Sequence, residues 1–300
     1  MFTGCGTALV TPFARDFTLD EPALGRLVRR QIEAGIDFLV PCGTTGERPT
    51  LSRAEHLRVV EITVAESRGK VPVLGGAGGY NTAEVIELAQ ELAQIGVDGI
   101  LSVTPYYNKP TQEGLFQHYS AIASSVSLPI VVYSVQGRTG VNVEPATLAR
   151  LAQIDNIVGV KEASGNISQM ASVIQLTPPE FLVLSGDDAI TLPLIALGGR
   201  GLVSVAANEI PREMTQLVHY CMDGDFVSAR ELQRRLLPLM DVNFVESNPI
   251  PVKAAMGLMG LLEPVYRLPM VAPKPENLEK IRTVLTQLGL LASRSVPVAN

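Results

Sequence analysis

The most informative stretch of the chain is Asn156-Ile157-Val158-Gly159-Val160-Lys161-Glu162-Ala163-Ser164-Gly165. Its first half is a short apolar run rich in β-branched residues, which is typical of a buried strand, and the run ends on Lys161. An ammonium group with little water around it loses its preference for the charged form, so a neutral, nucleophilic amine becomes accessible. Glu162 is not expected to pair with Lys161, because successive strand residues point to opposite faces. The alternative is a lysine whose amine extends from the strand end into water.

Seven further runs of the same kind are spread along the chain, with turn signals around each. They lie at 7–10, 38–40, 71–74, 100–103, 130–133, 181–184 and 202–205, and with 157–160 they make eight. Segments with helical periodicity lie between them, and Ser52 followed by Glu55 predicts a capping box. Eight strands alternating with helices predict parallel βαβ units of the α/β class that close into a (β/α)8 TIM barrel. An open doubly wound sheet is the alternative, but stretch 75–80 does not fit its G-x-G-x-x-G phosphate fingerprint.

The strand pattern stops after the eighth run. Four helical segments follow, at 212–222, 225–240, 250–261 and 276–288. We therefore predict a barrel over 1–210 that carries the active site, and a C-terminal helical region over 211–300 packed on the barrel. Residues 293–300 are expected to form a frayed tail.

Composition and charge narrow the function classes. The 300 residues are 46% hydrophobic, which is ample for a sizeable core. A net charge of −6 without a basic patch predicts no nucleic-acid partner. No uncharged apolar stretch has the length of a membrane span, and no secretory signal is recognisable, so we expect no membrane partner and a cytoplasmic location.

Cysteines and histidines give no sign of a disulfide framework or a metal site. Three widely spaced cysteines, Cys5, Cys42 and Cys221, predict neither disulfides nor a C-x-x-C ligand pair. The three histidines share no ligand spacing, so we expect no metal, and we expect each of them at the surface or at an interface: His56, His118 and His219.

Chemistry-bearing side chains gather where the predicted strands end, which is where (β/α)8 barrels have their active sites. Thr44 and Thr45 follow the second strand, Tyr133 ends the fifth, and Lys161 ends the sixth. A lysine, a tyrosine and paired hydroxyls facing one cavity suit an amine that condenses with a carbonyl, with the tyrosine moving protons. Arg138 offers a fork for a carboxylate. Each of these residues taken alone has an ordinary structural explanation, such as a helix cap or a core hydroxyl. Their convergence at the strand ends of one barrel favours an active site.

Five motifs stand in order along the chain: Gly43-Thr44-Thr45-Gly46-Glu47, Thr104-Pro105-Tyr106-Tyr107-Asn108-Lys109-Pro110, Gly159-Val160-Lys161-Glu162-Ala163-Ser164-Gly165, Ser185-Gly186-Asp187-Asp188 and Glu246-Ser247-Asn248-Pro249-Ile250-Pro251-Val252-Lys253. Together they resemble the dihydrodipicolinate synthase (4-hydroxy-tetrahydrodipicolinate synthase) family of the class I pyruvate-dependent lyases and aldolases. The resemblance runs from Met1 to about Leu291. It implies a carbon–oxygen lyase that condenses pyruvate with L-aspartate-4-semialdehyde to 4-hydroxy-tetrahydrodipicolinate, on the diaminopimelate route to lysine.

The resemblance also implies the catalytic residues. Lys161 would form a Schiff base with pyruvate. Tyr133, Thr44 and Tyr107 would form a proton relay, with Tyr107 reaching across a dimer interface into the neighbouring site. No metal or organic cofactor is implied, because the covalent lysine imine with pyruvate acts as the electron sink.

The residues that hold the substrates follow from the same resemblance. Thr45 and the backbone at Gly186 and Val203 would hold the pyruvate moiety, and Arg138 would hold the carboxylate of the aldehyde. The family resemblance further implies a homotetramer, a dimer of tight dimers. One departure concerns Arg138: residues 134–137 read Ser-Val-Gln-Gly where the family commonly has Asn-Val-Pro, and loss of the proline should loosen this loop.

A second departure concerns regulation. Lysine-inhibited members bind lysine at the dimer interface, and His56, Glu84 and Tyr106 stand at matching positions here. The other positions carry bulk or positive charge, in Arg48, Pro49, Arg53 and Tyr80. A cationic ligand should be repelled or crowded out, which predicts weak or absent inhibition by lysine.

Two other functions stay open. N-acetylneuraminate lyases and 2-keto-3-deoxy sugar-acid aldolases share the lysine, the tyrosine and the pyruvate chemistry. Thr44, Tyr107 and Arg138 favour a small acidic aldehyde, whereas the departure at 136–137 keeps the sugar-acid alternative open. The second is a non-catalytic sensor that binds a 2-oxo acid, which the intact catalytic set disfavours.

Overall fold

Eight parallel strands form a ring in the computed structural model, which describes residues 1–291. In chain order they are β1 (Gly4–Ala8), β2 (Phe38–Val40), β3 (Leu74–Gly76), β4 (Gly99–Val103), β5 (Ile130–Ser134), β6 (Ile157–Glu162), β7 (Leu182–Ser185) and β8 (Gly201–Ser204). Their order in the sheet is β2-β1-β8-β7-β6-β5-β4-β3, and a parallel bridge between Leu39 and Val73 joins β2 to the segment before β3. The predicted TIM barrel is confirmed, and each predicted run overlaps its strand.

Helices surround the ring and extend it at the C-terminal end. They are α1 (Glu21–Glu33), α2 (Arg53–Ser67), α3 (Thr82–Ile95), α4 (Gln112–Ser125), α5 (Gln136–Thr139), α6 (Pro145–Leu151), α7 (Ile167–Leu176), α8 (Thr191–Ala196), α9 (Pro211–Met222), α10 (Phe226–Val242), α11 (Ile250–Leu258) and α12 (Pro275–Gln287). The predicted capping box starts α2: Glu55 N donates to Ser52 Oγ (3.2 Å), and Ser52 N donates to Glu55 Oε2 (2.9 Å).

Alternation along each strand divides the core into two layers. On β5, Ile130 and Val132 face the helices, whereas Val131 and Tyr133 face the barrel interior. The interior layer is otherwise almost wholly apolar, with members such as Phe38, Leu74, Leu101, Leu184 and Val203. A polar group that continues an interior row therefore has little water around it.

The last helices pack on the barrel and on each other. Helix α9 contacts β1 and β8, as an outer barrel helix does, while α10 contacts α9 and α12, and α11 contacts α12. A division of the chain at residue 210 stays a prediction. The predicted tail at 293–300 lies outside the described residues.

Several predictions from composition concern residues that the structure describes. Cys5, Cys42 and Cys221 are free thiols in buried positions. The expectation of surface or interface histidines is wrong for His56 and His118, which are buried. Within residues 1–291, no cluster of three or more His, Cys, Asp or Glu side chains is placed to hold a metal ion, and no helix has the length and apolarity to cross a membrane.

Candidate active site

Lys161 lies at the carboxyl end of β6 with its side chain inside the barrel and only 6% exposed. The neighbouring Val160 packs in the helix-facing core. Glu162 also points away from Lys161: its carboxylate accepts hydrogen bonds from Ser164 and from Gln169 on α7. Burial raises the pKa of Glu162, and these hydrogen bonds oppose the shift. The alternation expected from the sequence therefore separates the amine from the adjacent carboxylate.

Tyr133 lies next to Lys161 in the barrel interior. The two residues are directly opposite each other in the register of β5 and β6. Lys161 Nζ lies 4.1 Å from the centre of the Tyr133 ring. Within the described chain, Lys161 takes part in no ion pair. An amine without a carboxylate partner is suited to nucleophilic attack, and the adjacent phenol is a candidate proton donor.

Gly186 gives the Lys161 side chain its space. A Cβ built at Gly186 would lie 2.6 Å from Ala163 Cβ and 3.1 Å from Lys161 Cε. Its backbone N–H donates to the Glu162 carbonyl (2.8 Å), so this N–H is already used in the barrel. Val203 is buried in the interior layer with Tyr133. The contribution of Gly186 that the structure shows is the absence of a side chain.

The turn after β2 presents two threonines at this end of the barrel. Glu47 N donates to Thr44 O (3.1 Å), and Thr11 Oγ1 donates to Gly46 O (2.7 Å). Thr44 lines the cavity described below, whereas Thr45 is buried behind it. Glu47 adopts a left-handed backbone conformation (φ 53°), which closes the turn.

A cavity of about 270 Å³ opens at the carboxyl ends of the strands. Thr44, Tyr133 and Arg138 line it together with Tyr106 and Asn248. Lys161 is not part of this lining and stands beside it, against the Tyr133 ring. The structure thus brings three predicted catalytic or substrate-binding residues to one cavity and places the lysine next to it.

Arg138 lies on the helical turn α5 directly after β5. A loosened loop is expected here from the sequence, but the turn is hydrogen-bonded: Arg138 N (2.9 Å) and Thr139 N (3.1 Å) both donate to Val135 O. The guanidinium Nη2 donates to the backbone oxygen of Asn248 (3.3 Å). This contact directs the fork along the cavity wall and leaves its other N–H groups for a ligand.

Tyr107 does not reach the site of its own chain. It is 89% exposed and has a left-handed backbone conformation (φ 66°). The adjacent Tyr106 turns the other way, towards the cavity, and contacts Tyr80 edge-to-face with ring centres 5.1 Å apart. In a single chain, therefore, a relay of Tyr133, Thr44 and Tyr107 is incomplete.

The three candidate regulatory residues occupy different environments. His56 is buried, and burial together with the charges of Arg48 and Arg53 lowers its pKa to about 4. Glu84 is exposed and accepts a hydrogen bond from Asn81. Tyr106 faces the cavity.

Sequence reasoning missed the residues that hold the threonine turn. Asn248 Nδ2 donates to Thr45 Oγ1 (3.0 Å), and Lys253 Nζ donates to Glu47 Oε1 (2.5 Å). Lys253 is fully buried; burial lowers its pKa, and the charge of Glu47 opposes the shift. The available signal is a single lysine in the apolar helix α11 and a single glutamate in an otherwise uncharged turn, since each needs a partner when buried.

Comparisons with known proteins agree along nearly the whole chain. The model of the dihydrodipicolinate synthetase family matches residues 1–288. A 4-hydroxy-tetrahydrodipicolinate synthase of Koribacter versatilis (strain Ellin345) is 54% identical over 294 residues, which are 98% of each chain. A chloride-inhibited dihydrodipicolinate synthase of Acinetobacter baumannii, solved with pyruvate, superposes with a TM-score of 0.95 at 40% identity. The match covers 97% of this chain and 100% of the Acinetobacter chain. A dihydrodipicolinate synthase variant described as monomeric has a TM-score of 0.95 at 46% identity, with 97% and 98% covered.

Proposed function

The chain belongs to the dihydrodipicolinate synthetase family, and on that premise we propose that it condenses pyruvate with L-aspartate-4-semialdehyde to 4-hydroxy-tetrahydrodipicolinate. This reaction serves the diaminopimelate route of lysine biosynthesis. The observation that carries the proposal is the buried Lys161 amine, 4.1 Å from the centre of the Tyr133 ring and beside a cavity lined by Arg138. The pairing supplies a nucleophile and a proton donor at one point.

The chemistry begins with the Lys161 amine attacking the ketone carbon of pyruvate, and loss of water gives an imine. The imine withdraws electrons from the neighbouring methyl group, which loses a proton and becomes a nucleophilic enamine carbon. This carbon attacks the aldehyde carbon of the second substrate. The amine of that substrate then displaces Lys161 from the former ketone carbon and closes the ring. Because the lysine imine serves as the electron sink, the proposal needs no metal or organic cofactor.

Each proton transfer in this sequence has a proposed carrier. Tyr133 exchanges protons at the Lys161 nitrogen and at the substrate oxygen, and Thr44 passes them along the cavity wall. Thr45 holds the pyruvate moiety against the backbone at Gly186 and Val203, where Gly186 supplies space and not its N–H, which bonds to Glu162 O. Arg138 holds the carboxylate of the aldehyde, for which its two-pronged donor geometry is suited.

The assembly follows from Tyr107. Its exposed position supports a role in the active site of a second copy of this chain, and we propose a homotetramer built from two tight dimers. Sedimentation of the purified protein tests this: a monomer that retains full activity would remove Tyr107 from the relay. The free, buried cysteines support a cytoplasmic location.

The experiment that tests the function is reductive trapping. The protein is incubated with pyruvate, reduced with borohydride, and analysed by intact mass and peptide mapping. We expect one pyruvate-sized adduct per chain, on Lys161. An aldehyde panel then compares aspartate semialdehyde with N-acetylmannosamine and glyceraldehyde. Turnover of a sugar aldehyde alone would point to the sugar-acid lyases. A folded protein that binds pyruvate without forming an adduct would instead favour the non-catalytic sensor of a 2-oxo acid.

We also propose that lysine inhibits this enzyme weakly or not at all. The candidate site around His56, Glu84 and Tyr106 has Arg48 and Arg53 in its neighbourhood, and these guanidinium groups disfavour a cation. Steady-state rates measured with millimolar lysine check the proposal. A halved rate would contradict it.

A further inference from the structure

The Thr45 hydroxyl has a hydrogen-bond partner from the far end of the chain. Asn248 is buried in the cavity wall, and its amide nitrogen donates to Thr45 Oγ1 (3.0 Å) across 203 sequence positions. Within the described residues, the hydroxyl donates no hydrogen bond to another protein group. A hydroxyl has one proton and two lone pairs. Asn248 occupies a lone pair, and within the described residues no protein acceptor takes the Thr45 proton.

Neighbouring contacts hold Asn248 in this position. Its backbone oxygen accepts a hydrogen bond from Arg138 Nη2 (3.3 Å). Five residues later, Lys253 forms a buried ion pair with Glu47, which is two residues after Thr45. The segments 45–47 and 248–253 are therefore joined by two parallel contacts. Both regions expected to bind substrate carboxylates meet at Asn248.

We propose that Asn248 is a positioning residue for pyruvate, which sets the Thr45 hydroxyl as a donor towards the pyruvate carboxylate. The inference rests on the proposed function, in which Thr45 holds pyruvate. A carboxylate accepts hydrogen bonds only, so a hydroxyl that presented its lone pairs would repel it. The amide N–H of Asn248 keeps the hydroxyl proton out of the position that faces Asn248, which favours its placement towards pyruvate.

The test compares Asn248→Asp with Asn248→Ala by the pyruvate concentration that gives half-maximal borohydride trapping on Lys161. Aspartate keeps the shape of asparagine but accepts the Thr45 proton, which turns the hydroxyl away from pyruvate. Alanine removes the partner and leaves the hydroxyl free to rotate. We expect the half-saturating concentration to be about tenfold higher for the aspartate variant than for the alanine variant. A residue needed only for shape would give the opposite order.

A second pair of variants separates hydroxyl orientation from charge repulsion. In a Thr45→Val background the hydroxyl is absent, so we expect the difference between the two Asn248 variants to shrink to about two- to threefold. Asn166→Asp is the control for the same change of residue at an exposed position: Asn166 caps α7 by accepting from Gln169 N (3.0 Å), and an aspartate keeps this bond. It should trap pyruvate as the wild type does. Thermal melts of every variant confirm folding.

The outcomes distinguish this inference from the function on which it rests. A wild-type protein without an adduct would remove both. A wild-type adduct with equal pyruvate dependence in Asn248→Asp would remove only the role of Asn248, because the amide oxygen would then be the group facing Thr45. A tenfold difference that persists in the Thr45→Val background would likewise overturn the proposal.

Discussion

Lys161 and Lys253 are two buried lysines with very different surroundings. Each amine lies against an aromatic ring, Lys161 Nζ at 4.1 Å from the centre of Tyr133 and Lys253 Nζ at 4.4 Å from the centre of Phe13. Lys253 also has a carboxylate, Glu47, at 2.5 Å. Lys161 has none within the described chain. The comparison teaches that burial does not make a lysine reactive; a buried lysine that has a carboxylate is a structural cation, and one that lacks it is available for chemistry.

Removing the Lys161 amine should have the largest effect. We expect Lys161→Met to abolish the pyruvate adduct and to lower the condensation rate by at least about 10³-fold, because the covalent route is lost. Peptide mapping after borohydride reduction and a coupled rate assay measure both. An adduct on Lys253 in this variant would show that the two lysines are interchangeable, against the comparison above.

Breaking the structural pair should destabilise the protein without removing the nucleophile. Lys253→Met leaves Glu47 as an uncompensated buried charge, which costs about 3–5 kcal/mol of unfolding free energy. Urea unfolding measures the change, and mass spectrometry at low temperature should still find the adduct on Lys161. The double variant Lys253→Met with Glu47→Gln should recover part of the loss. A single variant as stable as the wild type would contradict the structural role.

Changing the ring next to Lys161 should affect rate more than binding. We expect Tyr133→Phe to slow imine formation by about 10²-fold, since the phenol proton is lost while the ring is kept. Borohydride is added at increasing times, and intact mass gives the fraction of chains that carry the adduct. This fraction should finally reach the wild-type value. Tyr119→Phe, a buried tyrosine on α4, is the control. Equal rates for wild type and Tyr133→Phe would exclude Tyr133 from proton transfer.

Acidification should cause the smallest effect on stability. The group that responds is His56, close to the turn whose Glu47 pairs with Lys253. His56 lies next to the turn that holds Glu47, since Cys42 Sγ donates to its backbone oxygen (3.7 Å). Its folded pKa of about 4 lies below the ordinary 6.5, so its neutral form adds stability above pH 6.5 that is lost as pH falls towards 4. Between pH 7 and 5 we expect this loss to be about 1–2 kcal/mol.

Unfolding of His56→Asn across the same pH range isolates this contribution. His118 has a pKa lowered to about 4 by burial, so the wild type and the variant share its acid dependence. The variant should therefore lose less stability than the wild type on acidification. Identical pH profiles would show that His56 is protonated without cost in the folded chain.

The sequence predicted the barrel and the place of Lys161 at a strand end for a physical reason, whereas the family came from the resemblance of five motifs. Strand runs, helix caps and a lysine that ends an apolar run are local patterns, and local patterns can be read without knowing which segments meet. The comparisons confirm the family, and the strand order confirms the barrel. Asn248 and Lys253 could not be assigned in this way, because each acts through a partner about 200 positions away. The burial of His56 and His118 was mispredicted for the same reason.

The contacts of Asn248 and Lys253 determine when the threonine turn can be completed during synthesis of the chain. A ribosome that adds about 5–20 residues per second needs about 10–40 s to travel from Thr45 to its partner, 203 positions later. During that interval the nascent chain has its threonine turn but not the amide and ammonium groups that hold it. The substrate-binding end of the barrel is therefore finished last, although it contains one of the earliest turns to be synthesised. A chain interrupted before Lys253 would leave the ribosome with Glu47 unpaired.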